Sequence, residues 1–292
     1  MQDAVSLVVA GLSTGAIYAL IAVGFALVWQ TAQTVNFAQG EFVMVPAFLV
    51  LAAVRYAHLP FWLAIIVSVP LATFLLGWFF KKVIVDPTLR HGVLSTVIAS
   101  IGFGIILRES VKTFYGAEAY PFPSLATHGS LAIGNIMLST SDLSVLLVAI
   151  VAIAGLQLFL SRSRTGQAMQ AAAQNPVVAH ILGIPVQRMV LYTFLINAGL
   201  ATLASILISP IYLAKFTNGE TLGLAAFTAA IIGGFNQVRG AIAGGLLLGV
   251  VDNLSATYIS TQYRGVAPLL ILILVILFRP QGLLGRVEER TA

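Results

Sequence analysis

The sequence predicts an all-α bundle of helices crossing a lipid bilayer, and three observations predict it. Hydrophobic residues make up 59% of the 292-residue chain and charged residues 9%, with a mean hydropathy of +0.99. A soluble domain carries roughly 25% charged residues, so too few ionic groups remain here to coat a water-facing surface. The apolar residues fall in runs close to the roughly 20 residues a helix needs to cross hydrocarbon. Those runs lack the alternation of a transmembrane strand, and in lipid each backbone N–H and C=O needs a partner inside its own segment, which a helix supplies.

Apolar runs near residues 5–28, 42–57, 61–80, 92–107, 142–160, 189–213, 220–235, 241–259 and 266–279 give about eight to nine spans. The runs at 42–57 and 220–235 are short and read as half-helices. Asp3 and no Lys or Arg precedes the first run, so it reads as a retained span rather than a secretory signal. No Pro/Ser-rich linker or run of like charge divides the chain, which therefore reads as one transmembrane domain over 1–292.

Sidedness follows from Lys and Arg, which accumulate on the cytoplasmic side. With the N-terminus outside, Lys81, Lys82, Arg90, Arg162, Arg164, Arg188, Arg239, Arg279, Arg286 and Arg290 fall inside, and Arg55, Arg108, Lys112, Lys215 and Arg264 outside. That is 10 against 5 of the 15 cations, so the expected topology is N-out with a cytoplasmic C-terminus. Two loops are long: an outer one at 108–141, rich in Tyr, Phe and Pro, and an inner one at 161–188. In the inner loop an Ala-rich stretch at 167–174 favours helix. Asn175-Pro176 marks a break and restart, and Gly183 and Pro185 a stop, giving a short helix–turn–helix.

Several chemistries are excluded. The net charge of +5 is scattered between apolar runs, so no nucleic-acid partner is expected, and the absence of cysteine removes thiolate catalysis and Cys-based metal sites. No Gly-Lys pair occurs, hence no Walker-type phosphate loop. His58, His91, His128 and His180 are dispersed without metal-ligand spacing, and no hydrolase motif appears. Neither cofactor, metal nor enzymatic role is expected.

Four features carry specific expectations. Gly11, Gly15 and Ala19, and again Ala241, Gly245 and Gly249, recur every four residues; such stripes let membrane helices approach closely, and helix packing is the preferred reading. Asp252 lies about seven residues inside its span, roughly 10 Å deep. An acid at the bilayer centre costs about 3 kcal/mol, so it must face protein or water and be paired. A pathway residue and a structural hydrogen-bond partner are equal readings of it, with Asn253, Asn197 and Arg239 as candidate neighbours. Asn36, Gln39 and Glu41 form a polar cluster between the first two apolar runs, without Lys or Arg, and are expected to line a substrate route at an interrupted helix. Asn36 to Gly40 and Asn236 to Gly240 share an N-x-x-x-G pattern, a weak internal repeat.

The inner loop carries a resemblance. Arg162 to Ala168, Ala171 to Pro176 and Ala179 to Pro185 resemble the cytoplasmic signature of permease subunits of ABC importers. The blocks Gly11–Gly24, Val35–Phe42, Phe227–Gly234, Gly240–Gly249 and Phe278–Gly285 sharpen this to the high-affinity branched-chain amino acid permease family, over essentially the whole chain. The resemblance implies a helix bundle of the ABC importer permease type in the cell inner membrane, surrounded by lipid. It implies a second homologous permease subunit, two ATP-binding cassette ATPase subunits that hydrolyse the ATP, and an extracytoplasmic substrate-binding protein. Cargo would be branched-chain or hydrophobic amino acids, or related small polar solutes. It places ATPase coupling on Ala171, Ala172, Gly183, Ile184 and Pro185, and the pathway on Asn36, Gln39, Glu41 and Asp252. The sequence departs from the general importer loop in having Ala171 or a neighbour where a Glu is usual. An ion-coupled secondary transporter of small solutes is the alternative, with Asp252 and Glu41 as its only acids near bilayer depth.

Overall fold

The computed structural model describes residues 2–124, 129–133, 136–260 and 266–285; His128, Arg264, Arg286 and Arg290 lie outside them. The regular structure of the described residues is helical apart from one hairpin and a single bridge between Tyr120 and Ala214. Its helices are α1 (Gln2–Ala32), α2 (Gln39–Arg55), α3 (Phe61–Thr73), α4 (Asp86–Leu89), α5 (Val93–Tyr115), α6 (Thr140–Arg162), α7 (Arg164–Gln174), α8 (Pro176–Ile181), α9 (Val186–Tyr212), α10 (Asn218–Gly233), α11 (Val238–Tyr258) and α12 (Val266–Phe278). The antiparallel strands β1 (Ser130–Ile133) and β2 (Ile136–Ser139) lie between α5 and α6.

Among the described residues six helices are long and apolar enough to cross a membrane: Val5–Ala32, Phe61–Leu89, Val93–Tyr115, Thr140–Arg162, Val186–Tyr212 and Val238–Tyr258. The other three apolar segments are α2, α10 and α12, of 17, 16 and 13 residues. At 1.5 Å per residue none of these reaches the roughly 30 Å of a hydrocarbon core. The outer loop expected from 108 begins only at Gly116, because α5 runs two turns further and carries Arg108 and Lys112 within it.

The Phe61–Leu89 helix also outlasts the apolar run that ends near residue 80, by passing through π-helical turns at Phe74–Phe79 and Lys81–Val85. In a π-helix residues five apart share a face. That geometry lets Lys81 Nζ meet Asp86 Oδ1 at 2.7 Å, with Gln187 Oε1 accepting a further bond at 3.4 Å. Lys81 is thereby buried at 2% exposure with its charge matched, rather than solvated in a loop.

The chain forms two compact units, one of residues Met1–Ala26, Ser124–Ile150 and Leu224–Ala292, the other of Leu27–Pro123 and Val151–Gly223. The chain passes between them inside the helices α1, α6 and α10 and once at Pro123–Ser124, between α5 and β1.

In the first unit α1 and α11 pack along their small-residue stripes. A methyl on Gly15 would meet Gly245 O and Leu246 Cα at 2.9 Å, and one on Gly249 would strike the Gly15 backbone. Phe25 nests edge-on to Phe227 with ring centres 5.6 Å apart. The segment after α12 closes the end of α10: Leu283 and Leu284 N–H donate to the carbonyls of Ile232 and Gly233 at 2.8 and 3.0 Å. Those carbonyls belong to a helix's last turn and have no partner within the helix. The contact requires glycine at 234 and 282, both at positive φ and backbone to backbone.

In the second unit α2 is the buried centre, packed by α3, α5 and α9. Phe42, Phe80, Phe103 and Phe194 form its aromatic core, with Phe80 centred 5.1 Å from both Phe42 and Phe103. At one end of the unit Tyr120 and Ala214 exchange backbone bonds at 2.9 Å, and Tyr115 O–H donates to Phe48 O at 3.0 Å. The other end carries α7, α8 and the Lys81–Asp86 pair.

Candidate functional site

The polar cluster read at residues 36–41 is the junction where α1 stops and α2 restarts inside the second unit. Gln33 adopts φ +50, which turns the chain out of α1. Asn36 then acts as the turn residue: its Oδ1 accepts Ala38 N–H at 3.0 Å and its carbonyl accepts Gln39 N–H at 3.2 Å. Phe37 N–H donates to Ser100 Oγ on α5 at 3.1 Å. Side-chain oxygens thus satisfy backbone donors that a helix start leaves bare.

Gln39 and Asn197 exchange two amide hydrogen bonds, 2.7 and 2.8 Å long, and both are fully buried. Asn197 lies eleven residues beyond Val186, or roughly 17 Å along α9. The first turn of α2 therefore sits at the middle of a full-length span, and that placement is why α2 is short.

Glu41, in that same turn, is 7% exposed. Its carboxylate rests on Gly219, where any Cβ would collide with Oε2, and a methyl on Gly104 would stand 3.5 Å from its Cγ. Next to it Gly40 crosses Gly219 and Gly223 with backbones touching; a methyl on Gly223 would be 2.8 Å from Gly40 Cα. Arg108, one turn beyond Gly104, pairs with Glu220 at 2.9 Å. Asn36, Gln39 and Glu41 are thus brought together, with Asn197, Ser100, Gly104 and Gly219 completing the surroundings. The sequence offered Asn197 only as a neighbour of Asp252; a lone Asn midway along an apolar helix was the available signal for its role.

Asp252 is in the first unit. Its Oδ2 accepts the Tyr18 O–H at 3.4 Å, and it is 4% exposed, within the glycine seam of α1 and α11. Asn253, one expected neighbour, instead donates to Gly249 O at 3.2 Å and Thr14 Oγ1 at 3.3 Å. The Tyr18 and Thr14 bonds tie α1 to α11.

The inner loop folds as two capped helices. Ser163 Oγ accepts Gly166 N–H at 2.9 Å to start α7, and Asn175 Oδ1 accepts the N–H groups of Val177 and Val178 at 3.1 and 3.0 Å to start α8. At the far end Gly183, at φ +79, donates to His180 O and Ile184 to Ala179 O, both at 3.0 Å. This is a Schellman stop, and Pro185 behind it opens α9 by accepting Arg188 N–H at 2.9 Å. Gly183, Ile184 and Pro185 therefore shape the loop. Ala172 is buried and Ala171 half-buried, facing the protein with Met169. Val177, Val178, Ile181 and Leu182 are instead exposed, by 68, 48, 78 and 72%. Four large apolar side chains thus lie uncovered on α8 and its C-cap, with the exposed polar Gln174, Asn175 and His180 beside them. The sequence analysis gave these four no role, because hydropathy marks a residue as apolar without saying whether a neighbour covers it.

The model of the branched-chain amino acid transport system permease component matches residues 7–276. The high-affinity branched-chain amino acid transport system permease protein LivH of Escherichia coli K12 is 33% identical over 95% of this chain and 94% of its own. Its counterpart BraD of Pseudomonas aeruginosa is 32% identical, with the same coverage of both chains. Among solved structures, PsaBC from Streptococcus pneumoniae in complex with Fab has a similar fold, with a TM-score of 0.50 and 15% identity over 93% of this chain and 91% of that one. A match through nearly the whole chain, on a helical membrane fold with interrupted helices, leaves one conclusion: the chain belongs to the permease-component family of branched-chain amino acid transport systems.

Proposed function

We propose that this chain is one membrane-spanning half of an ATP-driven importer that carries branched-chain amino acids, or related small polar solutes, across the cytoplasmic membrane. It pairs with a second homologous permease subunit. Two ATP-binding cassette subunits dock on its inner face, and an extracytoplasmic binding protein delivers cargo to its outer face. The observation that carries this reading is the bared apolar surface of α8, held rigid by the Asn175 cap and the Gly183 stop. A self-sufficient transporter has no use for such a surface in water; a subunit driven by a partner has.

Movement would pass from α8 into α9, whose second residue, Gln187, is bonded to Lys81 of the Phe61–Leu89 helix. From there α9 reaches the α1–α2 junction through Asn197. Helices moving as packed bodies then alternate access without unfolding. The excess of Lys and Arg assigned to the α7–α8 side supports a cytoplasmic position for it and for the C-terminus.

The test replaces Val177, Ile181 and Leu182 together by serine, leaving both caps intact. Co-purification with the ATPase subunits and ATP-dependent uptake in proteoliposomes are expected to fall to background, with membrane insertion unchanged. Uptake driven by a proton or sodium gradient, by this chain alone, would overturn the reading in favour of a secondary transporter.

A further inference from the structure

Among the described residues five buried side-chain polar atoms lack a hydrogen-bond partner. Three of them, Thr34 Oγ1, Asn36 Nδ2 and Glu41 Oε2, fall within one stretch at the α1–α2 junction. Buried polar groups are almost always bonded, so each exception asks for a cause. Here the three sit where a helix is interrupted midway along its neighbours, an arrangement found at transporter binding sites.

The chemistry of the unpaired atoms is specific. Asn36 Oδ1 is committed to Ala38 N–H, so the amide is oriented and its NH2 is the group left unpaired. Glu41 leaves a carboxylate oxygen unpaired at 7% exposure. Arg108, a turn beyond Gly104, is already engaged with Glu220 at 2.9 Å. The Gln39–Asn197 pair satisfies itself. What remains is a Glu41 carboxyl oxygen, the Asn36 N–H donor five residues before it, and the Thr34 hydroxyl, which can donate or accept. A buried carboxylate is stabilised by a cation that also donates hydrogen bonds, and an amide N–H by a carboxylate. A sugar or urea brings neutral groups only, and a simple amine brings nothing for Asn36 to donate to.

We propose that Glu41 and Asn36 form the recognition site for the head group of a zwitterionic α-amino acid in transit, Glu41 receiving its ammonium group and Asn36 its carboxylate. The proposal rests on the importer reading and adds to it the residues that would meet the cargo's head group within the membrane. The backbones of Gly40, Gly219 and Gly223 touch beside Glu41 in this structure, and the proposal requires them to part for the head group to enter.

The experiment measures leucine import and ATP hydrolysis together, in proteoliposomes holding the full complex with its binding protein. Glu41→Gln is expected to lower leucine imported per ATP hydrolysed by about tenfold or more, as the loss of a charged hydrogen bond does. ATP hydrolysis should continue and Glu41→Asp should retain most import. A Glu41→Gln complex that imports leucine per ATP as the wild type does would overturn the proposal. A second arm needs no variant: thermal unfolding of the wild-type complex without binding protein, in millimolar leucine, 4-methylpentanoate, 3-methylbutylamine or urea. Leucine alone should raise the midpoint. Equal shifts with the half-ligands or urea, or none with leucine, would overturn the site. Absence of ATP-driven import by the wild type would instead sink the importer reading, and the thermal arm would still decide the head-group site.

Discussion

Gln39 and Asn197 illustrate what a buried polar pair does in this protein. Each amide satisfies the other through two bonds, and neither touches solvent. Replacing one partner leaves the other amide bare, at a cost of about 1–3 kcal/mol, whereas replacing both with similar volume can be nearly neutral. Asn197→Leu is therefore expected to lower the thermal midpoint of the purified complex, and Gln39→Leu/Asn197→Leu to recover most of the loss. A double variant less stable than the single one would show that the pair does more than satisfy itself. Gln39 and Glu41 were legible from the sequence because a cation-free polar patch between two apolar runs marks a break in a helix at bilayer depth. Asn197 was not tied to them, since its partner lies 158 residues away and the pairing leaves no local trace. Lys81 was misplaced into a loop for a related reason: hydropathy sees a charge, while the π-helical turn that pairs it with Asp86 depends on backbone geometry.

At the scale of elements, the glycine stripes of α1 and α11 were correctly legible as packing faces. Repetition every four residues puts them on one side of a helix, and small side chains there serve backbone contact. The structure adds that the two stripes meet each other. A methyl on Gly245 would come within 2.5 Å of the Ala19 backbone, an approach backbone atoms must yield to. Gly245→Ala is thus expected to destabilise the protein by about 1–3 kcal/mol through overpacking. The measurement is thermal unfolding in detergent; an unchanged midpoint would mean that the seam can widen without loss. Asp252 shares this seam, and an acid is tolerated there because Tyr18 supplies its bond from α1. The α7–α8 element shows the opposite balance. Its boundaries were readable from Asn175-Pro176 and Gly183, whose capping chemistry is local, but which faces it buries was not. Ala172 turned inward and Ile181 outward because packing on the neighbouring helices decides that.

At the scale of the molecule, sidedness is the property most open to direct measurement. The chain contains no cysteine, so single cysteines report without a background. With the N-terminus outside, His58→Cys and Glu118→Cys should react with a membrane-impermeant maleimide applied to intact cells, and His180→Cys only after permeabilisation; all three positions are exposed. The reverse labelling would overturn the N-out topology. By itself the sequence determined that the chain is an α-helical membrane protein of the branched-chain amino acid permease type. Composition decides the solvent, apolar run length decides the crossings, and capping residues decide where the inner element starts and stops; each of these is a property of neighbouring residues. It took the folded chain to show that α2 begins midway along α9, that Glu41 and Asn36 keep unpaired atoms while Gln39 does not, and that α8 leaves its large apolar side chains uncovered while α7 turns Met169 and Ala172 inward. Those outcomes depend on which distant helices close around a residue, and hydrogen-bond satisfaction and burial exist only once they have.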